Sequence, residues 1–437
     1  MSKLTIWLTQ LITMILIIIF SILPGKMIDA QQSKSLSVEK AYQLARDNYP
    51  LIKQRDLIAK TKEYSVSNAA KGYLPGLSVN GQATYQSAVT NFPFKVPIPG
   101  FTLPAFSKDQ YKLYGEADQL IYDGGIIRNQ KQTAEANEII QQQNLEVELY
   151  ALFDRVNQLF FGILLMDEQL KQNDLLKQDI QNGIDKAKAL VENGTAYRSS
   201  VDELSAQLLQ AEQSRVELKV TRKAYLEMLG LFINDSLDEN TILEKPLPPT
   251  FTDNINRPEL LFYDYQKKTF DLQNQLLKAQ LRPKFSFFFQ GGYGRPALNL
   301  LSNDFAWYYI GGLRLNWNFG NLYTMKNQKQ LIDINKKTLD IQKETFLFNT
   351  HITQKQQNSD IEKYLELMKK DDAIIALRES VKKAASAQLE NGVLSAHDYI
   401  NEVNAEDQAR QNLILHEVQL LQAQFNYQNT IGNIKKQ

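Results

Sequence analysis

Cysteine does not occur in this chain of 437 residues. Its absence excludes a disulfide framework, a thiolate metal site, a cysteine nucleophile and a lipid on an N-terminal cysteine. Neither sign of charge is in excess, since 49 basic residues face 49 acidic ones. A nucleic-acid partner needs a basic surplus to displace counterions, so none is expected. Histidine is scarce, and His351, His397 and His416 lack paired-ligand spacing. Gly291-Gly-Tyr-Gly294 is not followed by the Lys-Ser/Thr of a phosphate loop and reads as strand glycine. No catalytic set emerges, and neither an enzyme nor a bound cofactor is expected.

Proline is missing from two long stretches, Gly125 to Val191 and Leu322 to Leu389. In the first, Leu149, Leu152, Val156, Leu159, Ile163, Met166 and Leu170 step by three and four. In the second, Leu331, Ile334, Ile341, Phe348 and Ile352 do the same, followed by Ile361, Leu365, Met368 and Ile375. These are narrow apolar stripes on helices otherwise rich in glutamine and lysine. At 1.5 Å per residue each helix would run roughly 100 Å, a length for which a compact domain has no use.

What is present at the N-terminus is an export pattern. Lys3 precedes an apolar run from Trp7 to Leu23, which Pro24 and Gly25 interrupt before Ala30-Gln31. We read residues 1–30 as a secretory signal peptide. The alternative is a membrane anchor, since the run borders on spanning length.

After that segment the sequence reads twice. RDNYPLI around Pro50 and INRPELL around Pro258 stand at the same offset as LPGLS (74–78) and RPKFS (282–286). The tripeptide Glu-Asn-Gly occurs at 192–194 and again at 390–392. The second copy is shorter between these points, and the loop after its first strand takes up the difference. We therefore divide the chain into a first repeat (31–242), a proline-rich linker (243–257) and a second repeat (258–437). Asn-Gly at the end of a helix is a stop signal, because glycine adopts the left-handed conformation cheaply. Each Glu-Asn-Gly then marks the tip of a long helical hairpin, and both tips lie at the same end.

Each repeat also carries two strand-like stretches, about 76–86 and 111–122 in the first and about 284–293 and 307–317 in the second. Apolar and polar residues alternate along them. Leu77, Val79 and Tyr85 oppose Ser78, Asn80 and Gln82, and Trp307, Tyr309, Leu313, Leu315 and Trp317 oppose Arg314 and Asn316. Tilted strands of roughly 9–11 residues cross an outer membrane, apolar side out, with aromatic girdles. Trp307, Tyr309 and Trp317 are the girdle candidates. Four strands cannot close a barrel, and lipid tolerates no open edge, so the chain is expected to oligomerise. Two copies give eight strands with little bore, whereas three give twelve and a channel.

This order of motifs resembles the TolC-like outer-membrane channel family: Asn-x-Pro helix start, Leu-Pro strand start, Tyr122-Asp-Gly-Gly125 strand exit, Asn-Gly tip, then all again. The resemblance implies a mainly α fold with a membrane β-barrel portion, built as a trimeric 12-stranded barrel atop an α-helical tunnel. It implies the exit duct of a tripartite efflux or type I secretion system, in the outer membrane with its helices in the periplasm. The partners it implies are a homotrimer, outer-membrane lipid, a periplasmic adaptor (membrane fusion) protein and an inner-membrane pump. The adaptor would dock at Asn193, Gly194, Asn391 and Gly392. Family members close the periplasmic end with acidic residues after the second tip. Asp398 matches the first such position, and Asn401 stands where a second acid is usual. Leu394 replaces a basic residue, and Ser200 departs from the pattern in the first repeat. Asp398 also has the position of a residue that merely caps a helix start. The competing reading is an exported structural or adhesive coiled-coil protein with a β head.

Overall fold

The computed structural model of the chain describes residues 35–89, 107–251, 254–299 and 302–434. The expected signal peptide and the loop prolines Pro93, Pro97, Pro99 and Pro104 lie outside these residues. A short strand β1 (Ser35–Leu36) and helix α1 (Val38–Asn48) lead into a 3-10 turn (Pro50–Lys53). Then follow α2 (Gln54–Lys71), β2 (Gly76–Tyr85), β3 (Asp109–Tyr122), α3 (Ile126–Tyr150), α4 (Leu152–Glu192) and α5 (Arg198–Ile233). After β4 (Ile242–Leu243), the same order runs again as α6 (Pro258–Gln280), β5 (Lys284–Arg295), β6 (Ala306–Asn316), α7 (Asn321–Glu390) and α8 (Ala396–Ile431).

Local chemistry sets the boundaries of these elements. Pro258 stands in the first turn of α6, where its missing N–H would have no partner anyway. Between β3 and α3 the chain reverses through Gly124 and Gly125, both at positive φ. Asp123 holds that turn, its carboxylate accepting from the Gly125 N–H (2.7 Å) and the Ile127 N–H (2.5 Å). A side chain at Gly124 would collide with the Ala279 carbonyl, so glycine is required there. The equivalent turn before α7 uses Asn318, whose Oδ1 accepts from the Gly320 N–H.

The four long strands form one antiparallel sheet in the order β2-β3-β5-β6. Its central pair, β3 with β5, joins the two halves of the chain. All ten residues of β2 pair with β3, and β6 pairs only with β5, so the sheet is open along β2 and β6. Because paired residues share a face, the alternation produces two unlike surfaces. One carries Leu77, Val79, Leu113, Phe287, Phe289, Tyr309 and Leu313, and it is open to solvent, with Leu77 80% and Trp307 81% exposed. The other carries Ser78, Asn80, Glu116, Asp118, Ser286, Gln290 and Arg314.

The helices below the sheet form a row in a matching order. Nearest the strands, α2 packs on α3, α3 on α6, and α6 on α7. Farther away the row is α5, α4, α8, α7. Its end helices expose apolar residues at helical spacing: Leu57 and Tyr64 on α2, Leu209, Val216 and Val220 on α5, and Leu331, Ile334, Ile341, Phe348 and Ile352 on α7. Six of the nine stripe residues on α7 are thus left exposed by their own chain, Leu365 being the sixth.

The proline-free stretch from Gly125 to Val191 is not one unbroken helix. It is interrupted at Ala151, between α3 and α4. No Gly or Pro marks the site. Instead, the end of α8 and the start of α6 converge there: the Tyr150 hydroxyl donates to the Asn429 carbonyl (2.8 Å), and the Arg257 guanidinium lies 4.5 Å from the Tyr150 ring centroid. Beyond the break lies the main core, where α1, α4, α5 and α8 bury Tyr42, Val156, Phe160, Phe161, Leu226, Ile233 and Phe425. The parallel pairing of β1 with β4 closes over this core.

Phe161 is 1% exposed and its ring contacts those of Phe160 and Phe425. Phe161→Ala is expected to destabilise the fold by about 3–5 kcal/mol. The measurement is the thermal midpoint of the helical circular-dichroism signal, which should fall clearly below that of the wild type.

Candidate functional site

Both hairpin tips have the same geometry. Helix α4 ends at Glu192, Asn193 caps it, and Gly194 turns the chain at φ +75°. Thr195 N–H then reaches back to the Leu190 carbonyl (2.9 Å). Helix α7 ends at Glu390, followed by Asn391 and by Gly392 at φ +70°, with Val393 N–H bonded to the Gln388 carbonyl (2.9 Å). These six-to-one bonds satisfy carbonyls that a helix end would otherwise leave unpaired. Glycine is needed at both turns because a side chain there would be strained.

The two tips are brought together. Ile180, Ile184 and Ala187 of α4, Leu204 of α5, Ala385 and Leu389 of α7, and Tyr399, Ile400 and Val403 of α8 form one buried cluster. The Tyr399 ring lies flush against Gly183, where an added Cβ would sit 2.4 Å from it, and its hydroxyl donates to the Asp179 carbonyl (2.9 Å). Burial, with the Asp179 charge adding to it, pushes the Tyr399 phenol up to about 12.

Polar ties run between the hairpins around this cluster. Lys186 of α4 meets the Glu390 carboxylate (2.8 Å) and donates to Ser386 Oγ (3.0 Å). Its hydrogen bond and charge hold Glu390 below the ordinary carboxylate range. Lys382 of α7 bridges Asp179 of α4 (2.8 Å) and Glu406 of α8 (3.2 Å), and Arg410 also bonds Glu406. Burial alone would lower the Lys382 pKa, but its bonds to the two carboxylates outweigh that and raise it. Beside them, burial raises Asp407 despite the hydrogen bond donated by Gln172. At the start of α8, His397 Nδ1 stands 2.7 Å from Glu203 of α5.

Asp398 lies in the first turn of α8, exposed, beside the N-cap residue Ser395. Ser395 Oγ accepts from the Asp398 N–H (3.1 Å) and donates to its carboxylate (2.7 Å). Asn401 is exposed one turn farther along the same helix. Trp307 and Tyr309 stand on the apolar sheet face near one end of β6. Trp317 lies past the other end, its ring tilted against that of Phe319 and its indole N–H donating to the Leu281 carbonyl (2.9 Å). The sequence reading missed the ties between hairpins, because no motif links Lys186 to Ser386 across 200 residues. Among the described residues, no three His, Asp or Glu side chains gather as metal ligands.

Comparison with known proteins fits this architecture. Residues 41–231 match the family described as outer membrane efflux protein. Over 90% of the chain, the fold matches the solved structure of the outer membrane protein VceC from Vibrio cholerae, at 11% identity over 96% of that chain and a TM-score of 0.62. It matches CusC at 12% identity, 91% of that chain and 0.64. It also matches the open state of the outer membrane channel MtrE from Neisseria gonorrhoeae at 13% identity, 88% of that chain and 0.61. No curated protein sequence matches the chain. The fold is thus that of outer-membrane channels. The family match itself spans residues 41–231, and the likeness to the solved channels extends the same fold over the rest of the described chain.

Glu203 raises the His397 pKa above the ordinary imidazole value, through their hydrogen bond and charge. A raised folded-state pKa means that this contact contributes fully below the unfolded value of about 6.5 and fades as pH rises through the raised value. Histidine-selective NMR should find His397 titrating above 6.5, and Glu203→Gln should bring it down. An unaltered titration in that variant would show that the contact is not made in solution.

Proposed function

We propose that the protein is the passive exit duct of a tripartite efflux or secretion system, with its sheet in the outer membrane and its helices in the periplasm. The observation that carries this reading is that sheet and helical row are open along matching ends, β2 with α2 and α5 on one side, β6 with α7 on the other. Both helical ends expose apolar seams. Such a chain fits a head-to-tail contact with further copies of itself, which closes into a ring.

Three copies would supply twelve strands, enough for a bore, with every edge paired. The apolar sheet face would then meet lipid, Trp307 and Tyr309 marking one headgroup level and Trp317 the other. The polar face would line the bore. The two-repeat division of the chain, with 243–257 as linker, gives each copy two strand pairs and two hairpins around the ring. The tips at Asn193, Gly194, Asn391 and Gly392 would present a docking rim to an adaptor coupled to an inner-membrane pump. Energy would come from that pump, and this chain would do no chemistry of its own.

At the tips, Asp398 and Asn401 would face a narrowing bore. Three carboxylates near one axis repel each other and attract cations. The capping bond to Ser395 does not consume the charge of Asp398.

The protein should fractionate with outer membranes, require detergent for extraction and elute at the mass of three chains. A monodisperse single copy without detergent would end the proposal. Ile341→Glu on the α7 seam should leave the chain helical while depleting the trimer on sizing. In planar bilayers, Asp398→Ala should alter single-channel conductance or block by multivalent cations. No change in either would remove Asp398 from the constriction.

A further inference from the structure

The polar face of the sheet carries more than solvating groups. Arg314 of β6 reaches across β5 to two carboxylates of β3, Glu116 (2.9 Å) and Asp118 (3.1 Å). On the way its guanidinium lies over the Phe288 ring, 4.6 Å from the centroid. Gln290 donates to Glu116 and Ser286 to Asp118, so both acids are fixed in place. One register step above Glu116 and Gln290, Tyr114 and Tyr308 flank Gly292 across the three strands. One step below them, Phe288 pairs with Gly312, where an added Cβ would touch the Phe288 ring at 3.3 Å. Rings on this face serve no lipid contact, and the two glycines leave a floor without side chains beneath them.

We infer that this cradle is a binding site for aromatic organic cations passing through the bore, and that Arg314 occupies the cation's place when the site is empty. The inference rests on the proposed reading of the polar face as the channel lining. Two fixed carboxylates beside an aromatic face, that of Phe288, are the chemistry that recognises a flat or aryl-substituted cation. The Arg314 guanidinium makes the contacts such a ligand would make: one π-face and two carboxylates. With Arg314 in place the cluster carries one net negative charge, and without it two. The other cations of this face, Lys112 and Lys284, sit toward opposite ends of their strands. Lys112 is four residues from Glu116, about 13 Å along an extended chain, beyond the screening length of about 8 Å at physiological salt.

The test is block of single-channel current in planar bilayers by tetraphenylphosphonium added on the sheet side, with benzenesulfonate as the aromatic anion control. The cation should block and the anion should not. Arg314→Gln should lower the half-blocking concentration by roughly three- to tenfold, and Glu116→Gln with Asp118→Asn should raise it by a similar factor. Phe288→Leu, which keeps all three charges, should weaken block, whereas Arg314→Lys should stay closer to wild type than Arg314→Gln. Block should persist when Asp398 is alanine, which separates this site from the tips. Wild-type channels that conduct but show the same block in every sheet variant would overturn the site alone. A wild-type protein that forms no channel would overturn the duct reading and this inference with it.

Discussion

A strand edge is a row of N–H and C=O groups that must bond to something, and hydrocarbon offers nothing. In this chain the edges of β2 and β6 are the unmet demand around which the other features are arranged. The sheet is apolar on one side and polar on the other, so it suits neither the interior of a soluble domain nor full exposure to water. The helical row beneath repeats the strand order and ends on uncovered apolar seams at the same two sides. One kind of neighbour contact answers strand, seam and face together.

At the far end, apolar contact and charge divide the labour. The shared cluster around Ile184, Leu389, Tyr399 and Val403 supplies cohesion, because burial of apolar area scales with what is covered. Of the ion pairs around it, the exposed one between His397 and Glu203 contributes little. Glu406 differs, being 2% exposed and held by both Lys382 and Arg410. Arg410 belongs to the same helix as Glu406, so a slide of α7 past α8 would remove only Lys382 and leave the buried carboxylate with a single cationic partner.

Much of this was legible in the sequence because it depends on short-range periodicity. A period of two spells the sheet faces from Leu77 to Tyr85 and from Trp307 to Leu315, since neighbouring side chains must point oppositely. Missing proline and a three-four step spell the long helices, and Asn-Gly spells their ends. What depends on distant partners was not legible. The break at Ala151 arises from Arg257 and Asn429 meeting Tyr150, and nothing local announces it. The two-residue strands β1 and β4 carry too few residues for a periodic signal, whereas α1 does show the helical step, at Val38, Ala41, Tyr42 and Ala45, a signal the sequence reading missed. At the tips, Ser395 and Asp398 stand at the spacing of a helix cap, whereas Lys186 with Glu390 and Lys382 with Asp179 are ordinary residues on polar helices until folding juxtaposes them. Arg314, Glu116 and Asp118 could be assigned to polar sheet faces from alternation alone, but their meeting across β5 required the strand order.

The bare sheet has a bearing on biogenesis. A newly folded copy travelling through water carries a greasy plane and two hydrogen-bonding templates, and any extended segment of another polypeptide can add to those templates. A sheet left bare in this way is therefore a hazard until something covers its apolar face and pairs its edges.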